Sequence, residues 1–171
     1  SAMTFLNGGE ATTGGGFGLR VEPLSVRLAN NPDPSQLFSS KVHGDPGTPL
    51  VKAYLGDPIV FRHIGCCNEV HTWHLSGHWF PMERYNDDSI PRNSFHITIG
   101  ERLDMVIPAA GGPQKMAGDY PYYSGRASHF AGGAWGLIRV LDKADKSLQP
   151  LPSREEIPAS AKEVCPADAP V

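Results

Sequence analysis

The stretch "HTWHLSGH" places His71, His74 and His78 within eight residues, three of the chain's seven histidines. Imidazole suits both Cu(II) and Zn(II), and an ion held with open positions can do Lewis-acid or redox chemistry. The same side chains serve as readily as hydrogen-bonded polar groups inside a core. Strand geometry limits what they can share. Neighbours on a strand point to opposite faces, so His71, Trp73 and Leu75 lie on one side and Thr72, His74 and Ser76 on the other. Trp73 and Leu75 belong in a core, which makes His71 the inward histidine and turns His74, with Ser76 and His78, away from it. The pattern implies two sites on opposite faces rather than one cage of three histidines.

The elements that must carry these residues are short. Nineteen glycines and sixteen prolines among 171 residues argue against long helices, and no window holds a 3.6-residue apolar period. Short β runs recur instead: "KAYLG", "PIVFRHI", "VHTWHL", "SFHITIG", "RLDMVIP", "DYPYYS" and "AWGLIRVL", separated by segments rich in Gly, Pro, Asn and Asp. In "PIVFRHI", Ile59, Phe61 and His63 alternate with Val60, Arg62 and Ile64. Counting "LRVEPLSVRL" at the start, about eight strands are expected, enough for an all-β sandwich or small barrel. The domain is placed at residues 19–142, between a flexible glycine-rich lead-in (1–18, opening on Ser1-Ala2-Met3, which reads as a cloning remnant) and a Pro/Ala-rich tail (143–171).

A net charge of −3, scattered without long runs, gives no footprint for nucleic acid, and no stretch reaches the roughly 20 apolar residues of a membrane span. Cys66, Cys67 and Cys165 are too few for a disulfide framework. One bridge from Cys165 to Cys66 or Cys67 and three inert thiols are equally compatible with the sequence. Ser124 with His129 does not make a hydrolase, since no orienting acid or "GxSxG" elbow accompanies them.

"HTWHLSGHWF" resembles the C-terminal copper motif of multicopper oxidases, His-Pro-x-His-Leu-His-Gly-His, and "YYSGRASHFAGGAWGLIRV" resembles their last motif, which carries His-Cys-His, a further His and an axial Met. "GLRVEPLSVRL", "FSSKVHGDPGTPLVKAYLGDPIVFRHI" and "ITIGERLDMVIP" are similar to the same family, in its large multi-domain manganese-oxidase and ceruloplasmin-like branch. The resemblance implies a cupredoxin-like Greek-key β-sandwich, which agrees with the strand count.

Carried over position by position, the resemblance puts type 1 copper ligands at His71 and His129, with Ser124 where the family has its Cys and Ala134 where it has its Met. On the opposite face His74 matches one trinuclear-cluster position, while Ser76, Tyr123 and Gly125 fill the other three. A hydroxyl does not replace a thiolate at copper, so neither a blue copper centre nor half of a trinuclear cluster is expected. The reading is a silent domain of a copper-dependent, extracytoplasmic oxidase, inactive by itself and partnered by sister cupredoxin domains. The alternative is a mononuclear Cu(II) or Zn module using His71 and His129, joined by His74 or His78. A third arrangement has a neighbouring domain supply the missing ligands.

Overall fold

The computed structural model describes residues 5–6, 10–11, 21–65 and 70–152. Cys66, Cys67 and Cys165, and with them any disulfide, lie outside the described residues, as do most of the lead-in and the tail from 153 onward.

Two-residue strands β1 (Phe5–Leu6) and β2 (Glu10–Ala11) pair with each other. Helices α1 (Leu24–Asn30) and α2 (Ser40–His43) flank a 3-10 turn at Pro34–Gln36. Then follow β3 (Leu50–Tyr54), β4 (Ile59–Ile64), β5 (His71–Leu75), β6 (Phe80–Pro81), β7 (Pro91–Arg92), β8 (Ser94–Ile97), β9 (Arg102–Ile107) and β10 (Gly118–Ser124). A five-residue helix, α3 (Ala127–Ala131), precedes the last strand, β11 (Trp135–Leu141).

One layer is a five-stranded sheet in the order β3-β11-β10-β5-β8, with β3 parallel to β11 and every other pair antiparallel. The second layer is the antiparallel ribbon β4-β9, beside the small β6-β7 pair. The chain alternates between layers, β3 to β4 to β5 and β8 to β9 to β10, so most pairings in both layers join strands distant in sequence. The result is an all-β sandwich, as expected.

The core lies between the sheet's inner face and the ribbon. Trp73, Leu75, Phe95, Tyr122, Ile138 and Val140 come from the sheet, and Met105 and Ile107 from the ribbon. Alternation accounts for this: β5 reads buried, half-buried, buried along its length, and β4 turns Ile59, Phe61 and His63 inward while Val60, Arg62 and Ile64 face out. Phe61 meets Trp73 at 5.2 Å and Tyr122 at 6.0 Å between ring centroids, closing the two layers.

The sheet's other face is covered at β10-β11-β3, and here one expectation is corrected. The described part of "LRVEPLSVRL", from Val21 on, is not a strand: the chain turns at Pro23 and runs as α1. A strand would have used Val26 and Leu28 as core residues, yet Val26 is 58 % exposed and the buried residue is Arg27. Its guanidinium lies 4.7 Å over the Trp135 ring and pairs with Glu22 at 2.6 Å, while the Glu22 carbonyl accepts the Trp135 indole N–H at 2.7 Å. A charge taking the inward position is invisible to a hydrophobicity pattern, and it is tolerated because the half-buried Glu22 carboxylate pairs with it and the Trp135 ring lies beneath it. After β11 the chain stays on the sheet: the Tyr54 hydroxyl donates to the Leu148 carbonyl at 2.6 Å, and Lys52 to Ser147 at 2.7 Å. No helix among the described residues is long and apolar enough to cross a membrane.

Candidate metal centre

Three elements converge at one end of the sandwich. β5 begins at His71, β10 ends at Ser124, and α3 carries His129; all three side chains are buried. The register pairs Ser124 with Trp73, two residues from His71 along the same strand. The helix is set in place from both ends: the Ser124 N–H donates to the Ala134 carbonyl at 2.9 Å, and the Ala134 N–H donates to the His129 carbonyl at 2.8 Å. His71 and His129 consequently face each other, with ring centroids 5.0 Å apart. Ser124 Oγ accepts a long 3.4 Å contact from the Arg126 N–H, and Ala134 is fully buried.

The donor set does not fit a blue copper ion. Two imidazoles and a hydroxyl stand where two imidazoles, a thiolate and a thioether are required, and the Ala134 methyl offers no lone pair. Among the described residues no group of three His, Cys, Asp or Glu is placed to hold a metal ion.

His74 lies on the opposite face of β5, half-buried, as alternation requires. Its cross-strand partner is Tyr123, and the two rings meet at 4.8 Å between centroids. Thus an aromatic ring lies beside His74 where the resemblance would have another histidine. Gly125 is held by its N–H donating to the Thr72 carbonyl at 2.7 Å, and Thr72 Oγ1 bonds the His96 ring at 2.9 Å. Burial lowers the pKa of His74, so the ring is neutral at pH 7.

His78 is a correction. It was expected to face away from the core with His74, and it is instead fully buried. Alternation ends at Leu75: Gly77, at φ +67°, turns the chain back, and a Cβ there would strike the Tyr120 ring at 2.6 Å. Gly112 packs against this turn so closely that a Cβ would lie 2.0 Å from the Gly77 carbonyl oxygen. The imidazole is used up in tying the turn to that loop. Nδ1–H donates to the Ser76 carbonyl at 3.0 Å and Nε2 accepts the Gly111 N–H at 3.0 Å, with the ring edge on Tyr120. Burial lowers its pKa against the raising effect of the Ser76 bond, and the neutral tautomer is the one both bonds need. Both ring nitrogens are engaged, which leaves no lone pair for a metal.

His63, which alternation groups with Ile59 and Phe61, packs inward from β4 as a strand residue. Its ring stands edge-on to Trp73 at 4.7 Å and lies 5.8 Å from Phe95. Burial first, and then the charge of His71, push its pKa down to about 4.

No family model matches this chain, and no curated protein does. Among solved structures it is similar to a blue copper oxidase from Nitrosomonas europaea, at 23 % identity and a TM-score of 0.46, over 54 % of this chain and 31 % of that one. The multicopper oxidase mgLAC matches at 19 % identity and a TM-score of 0.44, over 54 % of this chain and 31 % of that one. The McoA multicopper oxidase of the hyperthermophile Aquifex aeolicus matches at 15 % identity and 0.45, over 56 % of this chain and 22 % of that one. The chain spans between 22 % and 31 % of the length of these three structures.

Proposed function

We propose that this chain is a cupredoxin-like unit of a larger, extracytoplasmic multicopper oxidase, holding no blue copper itself and serving as a packing and spacing element between sister domains. One observation carries the reading. His71 and His129 meet as buried rings beside the strand end that carries Ser124, and the resemblance puts Ser124 and Ala134 at the two remaining ligand positions. The pocket has a ligand site's arrangement without its sulfur, and two imidazoles with one hydroxyl make a weak set unless water completes it. On the outer face, the His74 and Tyr123 rings form a surface suited to a neighbouring domain rather than to an ion.

The proximity of His71 and His129 favours a second reading, a mononuclear Cu(II) or Zn module. Cu(II) titration of the metal-stripped chain, followed by electron paramagnetic resonance with His71→Ala and His129→Ala alongside, separates the two. The silent unit predicts no stoichiometric signal, or one that survives both substitutions. A one-to-one signal with nitrogen couplings, lost in both variants, establishes the mononuclear module instead.

A further inference from the structure

The outer face of the β4-β9 ribbon and the segment after β6 border an open cavity of about 500 Å3, whose lining includes His63 but neither His71 nor His129. Its size is that of a small-molecule site. Three guanidiniums line it: Arg62 from β4, Arg102 from β9 and Arg84 from the segment between β6 and β7. The ribbon register sets Arg62 opposite Asp104 and Arg102 opposite Ile64, so on this face one guanidinium has a carboxylate across the ladder and the other an aliphatic side chain.

The charge is unbalanced. Asp104 is the one carboxylate in the lining, and it is bonded to Arg84 at 3.2 Å. Among the described residues no carboxylate is bonded to Arg62 or Arg102. The chain as a whole is acidic, at −3, so a local excess of cations around a concave surface is the reverse of its average. The apolar part is equally out of place in water: Tyr85 is 90 % exposed, Ile64 is 72 % exposed, and the Arg84 guanidinium lies 5.3 Å over the Tyr85 ring. Guanidiniums without counter-ions select carboxylate or phosphate oxygens by paired hydrogen bonds, and the exposed ring and aliphatic side chain select an apolar body.

We propose that this cavity binds a small organic anion, a carboxylate or a phosphate monoester attached to an aromatic or aliphatic group. Arg62 and Arg102 grip the anionic head, and Tyr85 and Ile64 cover the body. Asp104 holds Arg84 back from the ligand and so limits affinity.

The test is calorimetric titration of the full chain with phenyl phosphate, benzoate, inorganic phosphate and benzylamine. Saturable binding of phenyl phosphate or benzoate is expected, with whichever binds more tightly identifying the head group, and no binding of benzylamine. Arg62→Gln combined with Arg102→Gln should weaken the organic anion about tenfold or more. Asp104→Asn, which frees Arg84, should tighten it severalfold, an effect that a merely structural Asp104 would not produce. The affected side chains lie at the surface, and unchanged melting temperatures would verify that the variants are folded. Failure of both organic anions to bind, inorganic phosphate binding as tightly as phenyl phosphate, an unaffected double variant, or weaker binding by Asp104→Asn would each overturn the proposal.

Discussion

Trp73→Ala is expected to destabilise the fold by about 3–5 kcal/mol, the usual cost of emptying a buried aromatic site. That is a large fraction of the roughly 5–15 kcal/mol that holds a domain folded. Trp73 is 1 % exposed and lies where both layers meet, within 5.2 Å of Phe61 and 5.7 Å of Tyr122 between ring centroids. It also stands opposite Ser124 on one side and Phe95 on the other, so the strand that presents His71 is anchored through it. Its indole N–H has no hydrogen-bond partner among the described residues. Trp73→Phe therefore removes an unsatisfied donor along with volume, and should cost much less than the alanine change. Urea unfolding followed by circular dichroism measures both. Alanine and phenylalanine variants of equal stability would mean that this ring does not fill the space between the layers.

The second large effect is loss of stability on mild acidification. His63 has a folded-state pKa of about 4, held down by burial and secondarily by His71, whereas an unfolded histidine titrates near 6.5. Below pH 6.5 the unfolded chain takes up a proton that the folded chain refuses, so stability declines as pH falls from about 6.5 to about 4, by up to about 3 kcal/mol from this residue. Burial shifts His74 and His78 in the same direction, adding to the decline. Carboxylates act lower on the scale. Asp45, held below its ordinary range mainly by its hydrogen bond to Arg139, keeps its contribution until pH drops under about 4. Melting temperature recorded from pH 7 to pH 4.5 should fall in the native chain, and fall less in His63→Phe. Equal slopes in the two would show that His63 is not the group refusing the proton.

What the sequence disclosed, and what it hid, follows from where alternation holds. β4 and β5 were legible residue by residue because one face of each packs on apolar neighbours and the other does not. That single rule separated His71 from His74 correctly. It failed at His78, since Gly77 breaks the strand before the third histidine is reached, and no periodicity survives a left-handed turn. α1 was misread because a buried arginine, not a leucine, takes its inward position. α3, which aims His129, is five residues long and too short to show a helical period. The arginine cavity was hidden for a different reason: its residues come from three separate segments, and only the register of β4 on β9 brings Arg62 and Arg102 to one face.

The central claim is that His71, His129 and position 124 converge as a copper pocket in which serine stands in place of the thiolate. Ser124→Cys tests it most directly, since the change is nearly isosteric at a site 1 % exposed. With one equivalent of Cu(II), the folded variant should develop the intense visible absorption of a copper–thiolate bond, and adding His71→Ala or His129→Ala should abolish it. A folded Ser124→Cys chain that stays colourless with Cu(II), or whose colour survives the loss of both histidines, would contradict the account.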